Sequence, residues 1–166
     1  MSTLARFRDA QDRPRVGFAA ALAELRAGRK TGHWIWYVFP QLSALGRSPI
    51  AVHYGIADAA EAADYLRDRV LAERLVAVAA AAREHLTGGS GRAVPLEELM
   101  GSNVDALKLI SSMTLFRHVA RVLFSDDRRP ELAALAEHAE AILAAAATQG
   151  YGPCRYTEAR LSATNG

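Results

Sequence analysis

The strongest pattern in the sequence lies in residues 101–116, which read GSNVDALKLISSMTLF. Ser102 and Asp105 have the spacing of a capping box, which marks the first turn of a helix. The apolar periodicity that follows predicts that this helix continues to Phe124. Apolar side chains fall on two opposite faces of the predicted helix, and that arrangement is typical of a central, buried helix.

A small polar patch interrupts one face of this helix, formed by Lys108, Ser111 and Ser112. A buried ammonium group costs several kcal/mol unless it is paired or loses its proton, so Lys108 is expected to have a partner. Two interpretations remain open, a structural ion pair with an acidic side chain or contact with an anionic ligand. The acidic candidates are Glu24, Glu61 and Asp64. Apolar residues of the same face are expected to enclose the patch at both ends: Val104, Leu115, Val119 and Val122.

A second dense segment, residues 28–41, reads GRKTGHWIWYVFPQ. Lys30 and His33 lie close to Trp36 in this segment, a combination that suits a planar anion held by cations and stacked on an indole. The alternative is a packed aromatic core in which His33 bonds to the backbone. Gln41 either contacts a ligand or braces the loop.

The secondary structure of residues 33–39 does not follow from periodicity. Its aromatic and β-branched side chains favour a strand. No comparable partner strand exists elsewhere in the sequence, and a lone strand would leave its backbone groups unpaired. We therefore expect a helix here, ended by Pro40.

Helix signals recur through the remaining sequence, while strand signals are scarce. The expected fold is all-α, a multihelical single domain of about seven helices around the central buried helix. The domain is expected to span residues 1–148, and residues 149–166, with Gly150, Gly152 and Pro153, are expected to form an irregular tail. Caps and periodicity predict helices over residues 16–27, 49–54, 59–67, 70–86, 95–100, 102–124 and 131–148.

Composition excludes several classes of function. The net charge of +2 and the scattered arginines argue against a nucleic-acid partner, since such proteins concentrate basic residues on one face. The single cysteine cannot form an internal disulfide, which indicates a reducing compartment. The histidines lack metal-ligand spacing, and no apolar run is long enough to span a membrane. We expect a cytoplasmic protein without a metal or cofactor. No motif indicates a reaction.

Short motifs surround both dense segments between about residue 4 and residue 124: Arg6-Phe7, Ala10-Gln11, Glu24-Leu25, Gly28-Arg29-Lys30, His33-Trp34, Pro40-Gln41, Leu45-Gly46-Arg47-Ser48, Tyr54, Glu61-Ala62, Tyr65-Leu66, Lys108 and Ser111–Phe116. They resemble the bacterial family catalogued as domain of unknown function 1810, and the block at 33–41 is the most specific. The resemblance implies a multihelical single domain and no established activity. The family usually has Gly in place of Ala44, and His-Pro in place of Asp68-Arg69.

Together these patterns predict a pocket between residues 33–41 and the helix at 108–116 that binds a small anion. The anion would carry a phosphate or carboxylate, with nucleotide-like molecules among the candidates. The alternative is a non-catalytic protein-interaction module whose dense motifs form only the core. The sequence predicts no oligomeric state. The candidate ligand-binding residues are Lys30, His33, Trp36, Gln41, Tyr54, Lys108, Ser111 and Ser112.

Overall fold

The computed structural model describes residues 4–89 and 91–164. Within these ranges the chain forms ten α-helices, a 3₁₀ helix at Ser43–Leu45 and no strand, so the all-α prediction is confirmed with more helices than the seven expected. One isolated parallel bridge joins Leu42 to Ile56. The helices are α1 (Ala5–Gln11), α2 (Phe18–Arg26), α3 (Ile35–Val38), α4 (Pro49–His53), α5 (Ala59–Arg67), α6 (Arg69–Leu86), α7 (Leu96–Met100), α8 (Asn103–Asp126), α9 (Pro130–Thr148) and α10 (Arg155–Ala163).

Helix α8 is the centre of the fold, as the sequence predicted. It begins after Ser102, whose hydroxyl accepts a hydrogen bond of 3.1 Å from the backbone of Asp105. It packs against α9 along its length and also contacts α3, α5, α7 and α10. Residues 109–116 are all buried, and this continuous burial explains why apolar side chains occupy more than one face of the helix.

The predicted enclosure of the polar patch on α8 is wrong at one end only, since Leu115 and Val119 are buried as expected at the other. Val104 is 59% exposed and Val122 is 55% exposed. Val104 borders a cavity beside the helix, whereas Val122 follows Ala120, the last buried residue of the helix. The patch is therefore open to solvent on the side of Val104.

The aromatic segment forms one turn of helix, α3, rather than a strand. Backbone hydrogen bonds join Val38 to Trp34 and Phe39 to Ile35, at 3.2 and 3.0 Å, so the segment needs no strand partner. Trp34 and Phe39 are fully buried, whereas the indole of Trp36 is only partly covered.

The structure corrects the prediction of an irregular tail, because residues 155–163 form α10. Thr157 and Leu161 of this helix are buried where α10 packs against α8. Most other side chains of α10 are exposed and polar, so the sequence contains no apolar stripe that would reveal a helix. Residues 165 and 166 of the tail lie outside the described residues. No helix in the described chain combines the length and apolar character that crossing a membrane requires.

Candidate functional site

A cavity of about 600 Å³ lies beside the first half of α8. We call it the α8 cavity. The loop after α3 and the start of α4 form one side, α8 forms another, and the short segment between α9 and α10 contributes the third. Its lining residues are Gln41, Leu45, Gly46, Arg47, Ser48, Ala51, Val104, Leu107, Lys108, Ile110, Ser111, Gly152, Pro153 and Cys154.

The charges that line the α8 cavity are all positive. Lys108 projects from α8, and Arg47 belongs to the loop on the other side. The guanidinium of Arg47 is exposed and has no hydrogen bond or ion pair with any of the residues that the structure describes. No carboxylate is among the lining residues that the structure describes. An anion that entered the cavity would therefore meet cations from two separate elements.

Asp105 links Lys108 to the other lysine of the chain. Its Oδ2 lies 2.8 Å from Nζ of Lys30, and its Oδ1 lies 3.7 Å from Nζ of Lys108. The first distance is that of a charge-assisted hydrogen bond, while the second is too long for one. The carboxylate is thus held mainly by Lys30, which is only 7% exposed. This cluster carries one more positive than negative charge.

Two indole rings lie beneath the two ammonium groups. Nζ of Lys30 is 5.0 Å from the ring centre of Trp34, and Nζ of Lys108 is 5.1 Å from that of Trp36. Both distances are within the range of cation–π attraction. Trp36 does not line the cavity itself, so its contribution to the site is to hold the Lys108 ammonium.

The loop that carries Lys30 is held by Glu24. The carboxylate accepts hydrogen bonds of 2.6 Å from the backbone of Thr31 and of Gly32, and one of 3.1 Å from the Trp34 indole. The backbone of Lys30 also donates to Leu99 at 2.7 Å, which attaches the loop to α7. These bonds bring Lys30 to the start of α8.

The acidic partners expected for Lys108 are engaged elsewhere. Glu24 holds the Lys30 loop, Glu61 pairs with Arg6, and Asp64 pairs with Arg67. The actual neighbour is Asp105, one helical turn before Lys108. The capping-box pattern assigns Asp105 only to the helix start, and nothing in the sequence shows that the chain folds Lys30 back onto it.

The predicted site residues separate into three groups. Gln41, Lys108 and Ser111 line the α8 cavity. Lys30 and Trp36 do not line it but are linked to Lys108, Lys30 through the shared carboxylate of Asp105 and Trp36 through its indole ring under the ammonium. The other three do not line it: His33, Ser112 and Tyr54.

Each of these three has a different reason for lying outside the α8 cavity. His33 is exposed, and its carbonyl is 3.5 Å from the Tyr37 hydroxyl. Ser112 is fully buried, and its hydroxyl has no partner among the described residues. Tyr54 packs edge-on against Tyr37, with ring centres 5.1 Å apart.

Hydrogen bonds fix the segment that forms the third side of the cavity. Gln149 accepts a bond of 2.7 Å from the backbone of Leu96, and the Tyr151 hydroxyl donates to Glu97. That bond holds the pKa of Glu97 below its ordinary value and raises the pKa of Tyr151. The backbone of Cys154 donates to the buried Thr114 hydroxyl of α8 at 3.1 Å.

Sequence reasoning missed three residues of this site. Arg47 occurs within the family-like motif at residues 45–48, which is the signal that could have identified it, but its charge alone does not distinguish it from the other arginines. Asp105 has the sequence pattern of a cap, and Cys154 falls in the predicted irregular tail. The position of Cys154 depends on tertiary contacts of α10 that have no sequence signature.

The arrangement is suited to binding an anion. The ammonium groups of Lys30 and Lys108 are preorganised by indole rings and by one shared carboxylate, so a ligand need not order them on entry. Among residues 4–89 and 91–164, no group of three or more His, Cys, Asp or Glu side chains is placed to hold a metal ion.

Comparisons with known proteins place this chain in a family. The chain matches a solved structure, the conserved hypothetical protein Rv1873 from Mycobacterium tuberculosis, with 38% sequence identity and a TM-score of 0.73 over 94% of each chain. No curated protein matches it. The model of the family described as protein of unknown function (DUF1810) matches residues 1–128, which include all but the third side of the α8 cavity. The chain therefore belongs to the DUF1810 family.

Proposed function

We propose that this protein binds a small anionic ligand, bearing a phosphate or a carboxylate, in the α8 cavity. The observation that supports the proposal most directly is that two cationic side chains, Lys108 and Arg47, line the same cavity, and that its described lining residues include no carboxylate. Nucleotide-like molecules are one class of ligand with such an anionic group.

The state of Lys108 supports this function. Its side chain is one-fifth exposed, and its ammonium donates no hydrogen bond to the described residues, since Asp105 is 3.7 Å away and is held more closely by Lys30. A partly desolvated ammonium with unused donors forms strong, charge-assisted bonds with an incoming phosphate or carboxylate. Lys108 is therefore the residue we assign to the anionic group.

The size and lining of the cavity fit the same function. Ligand cavities usually measure about 300–1,000 Å³ and combine an apolar lining with a few polar groups. The α8 cavity has about 600 Å³. Its side-chain polar groups include Gln41, Arg47, Lys108 and Ser111, and its apolar part includes Leu45, Val104, Leu107 and Ile110.

The test is a thermal-shift screen of nucleotides, inorganic and organic phosphates, and carboxylates, followed by calorimetric titration of each hit. Lys108→Met and Arg47→Gln are each expected to weaken binding about tenfold or more, because each removes a charge-assisted contact. Arg69→Gln is the matched control, since Arg69 is exposed on α6 outside the cavity. If Lys108→Met and Arg47→Gln bind every hit as well as the parent does, the proposed site is wrong.

Cys154 provides an independent measure of where a hit binds. It is the single cysteine of the chain, and it lines the cavity. A ligand in the cavity is expected to slow alkylation of this thiol by a maleimide in proportion to occupancy. Binding that leaves the alkylation rate unchanged would place the ligand elsewhere.

The alternative function, a protein-interaction module, is favoured by exposed apolar side chains near the cavity. Ile50 and Val52 of α4 are 40% and 52% exposed, and Leu107 of α8 is 48% exposed. Exposed apolar side chains that form a patch are typical of protein interfaces. This function predicts that Ile50→Asp abolishes capture of a protein partner while Lys108→Met does not.

A further inference from the structure

Most of the surface that lines the α8 cavity is apolar, and this limits what else the ligand carries. We infer that the ligand is an organic anion whose body is apolar, an aromatic or branched aliphatic group, rather than a sugar or another hydroxylated group. This inference rests on the proposed function, because it assigns the rest of a molecule whose anionic group Lys108 and Arg47 hold.

The apolar part of the lining comes from all three sides of the cavity. Leu45 lies in the loop, Val104, Leu107 and Ile110 lie on α8, and Pro153 precedes α10. Val104 and Leu107 are 59% and 48% exposed, so their side chains contact water when the cavity is empty. An apolar group that covers them removes apolar surface from water and gains affinity in proportion to the area covered.

Each hydroxyl group of the lining is already partly committed to the protein itself. The Ser48 hydroxyl accepts a hydrogen bond of 3.2 Å from the backbone of Ala51 and caps α4. The Ser111 hydroxyl donates its proton to the carbonyl of Leu107 at 3.0 Å. The side-chain amide of Gln41 has no hydrogen bond to the described residues, the Ser48 hydroxyl keeps its proton, and the Ser111 oxygen keeps acceptor sites. These are the few neutral side-chain groups of the lining that remain to recognise a polar group of the ligand.

These commitments disfavour a ligand with many hydroxyl groups. Each hydroxyl of a sugar loses hydrogen bonds to water when it enters the cavity, and the lining offers few replacements. An aromatic or branched aliphatic group has no such cost and covers the exposed side chains of Val104 and Leu107. The physical preference is thus for an apolar body on the same anionic group.

The experiment compares three probes that share a phosphate group: inorganic phosphate, phenyl phosphate and ribose 5-phosphate. Dissociation constants are measured by calorimetry on the full chain. Phenyl phosphate is expected to bind about tenfold more tightly than each of the other two, because burial of its ring adds affinity that neither can match. Benzoate, acetate and glycerate form the same series on a carboxylate and cover the other possible anionic group.

Two variants test whether the apolar body contacts α8. Leu107→Asn and Val104→Thr replace apolar side chains by polar ones of similar size at exposed positions, so the fold is expected to tolerate them. Each is expected to weaken binding of phenyl phosphate or benzoate several-fold and to leave inorganic phosphate or acetate unchanged. Val122→Thr is the matched control, because Val122 is 55% exposed on the same helix but outside the cavity.

The outcomes separate this inference from the proposed function. Equal affinity across a series, or tightest binding of ribose 5-phosphate or glycerate, would overturn the apolar body while anion binding stands. Loss of phenyl phosphate binding in Val122→Thr equal to that in Val104→Thr would also overturn it. Failure of all six probes to bind would overturn both the inference and the proposed function.

Discussion

Asp105 shows how a single carboxylate organises the basic groups of the site. The chain has 20 basic residues, and its only two lysines, Lys30 and Lys108, are both ion-paired with Asp105. A lysine ammonium is a compact charge, whereas the planar guanidinium of arginine needs more room and a different geometry. The two lysines thus occupy the places where a small cation must fit between an indole ring and a carboxylate.

We predict that Asp105→Ala destabilises the protein by on the order of 3 kcal/mol. The substitution leaves the ammonium of Lys30, which is 7% exposed, with only the Gly32 carbonyl and the Trp34 indole as partners, and a buried charge that loses its counterion is costly. The measurement is urea unfolding at neutral pH, with the free energy taken from the midpoint and slope.

Lys30→Met separates the ion pair from packing at the same place. Methionine keeps an apolar chain over Trp34 and leaves no buried cation, so its cost is expected to be smaller than that of Asp105→Ala. The double variant is expected to lose less stability than the two single variants lose together, because the two residues act as one unit. Additive losses would show that the two side chains are independent.

Glu24 makes stability depend on pH at the acidic end. Burial alone would raise the pKa of Glu24, but hydrogen bonds from Gly32, Thr31 and Trp34 together outweigh it and leave the pKa below its ordinary value. A lowered pKa in the folded chain means that the stabilisation is complete above the unfolded value, about 4.3, and is lost as the pH falls through the folded value. The urea concentration at the unfolding midpoint is therefore predicted to decrease as the pH is lowered below about 4.3.

Glu24→Gln isolates this contribution to the pH dependence. The amide retains the shape of the side chain but does not titrate, so the variant is expected to be less stable than the parent near neutral pH and to lose less stability on acidification. Glu73→Gln, at an exposed position of α6, is expected to keep the parent's slope. Identical slopes in all three proteins would contradict the role of Glu24.

At the scale of elements, the helices that begin with a local signal were the ones that could be predicted. Ser48, Asp58 and Ser102 each cap a helix with the side-chain bond that their spacing indicates. Such caps act within four residues and need no tertiary contact. The long helices α6, α8 and α9 also follow from apolar periodicity, because each buries a face against its neighbours.

Elements that depend on distant contacts could not be predicted from the sequence. Helix α10 is held by the buried Leu161 and Thr157 and by the bond from Cys154 to Thr114, which lies 40 residues earlier. The candidate site has the same limit. The sequence identified Lys108, and its neighbour Asp105 lies one turn away on the same helix. The contact of Asp105 with Lys30 and the position of Arg47 depend on how separate segments meet in the fold.

At the scale of the whole molecule, the α8 cavity exists only because three distant parts of the chain meet. Residues 41–51 and the first half of α8 provide two sides, and residues 152–154 provide the third. The last part is fixed by the Gln149 and Tyr151 bonds to α7 and by α10 against α8. Residues beyond 148 are therefore structurally part of the site.

The predicted end of the domain at residue 148 can be tested by removing the residues that follow it. A chain that ends at Thr148 loses the buried side chain of Leu161 and the bonds of Gln149, Tyr151 and Cys154. We predict that it is less stable by roughly 2–4 kcal/mol and that it loses affinity for any ligand of the α8 cavity. Urea unfolding and calorimetric titration of the truncated and full chains measure the two effects.

Leu161→Ala in the full chain distinguishes packing of α10 from closure of the cavity. Leu161 is 5% exposed and lies outside the α8 cavity, so the variant is expected to lose about 2–3 kcal/mol of stability while the cavity wall at 152–154 remains. Leu161→Ala is therefore expected to lose less ligand affinity than the truncated chain loses, both relative to the unmodified full chain. If the truncated chain unfolds at the same urea concentration and binds equally well, residues beyond 148 form an appendage, as the sequence alone suggests.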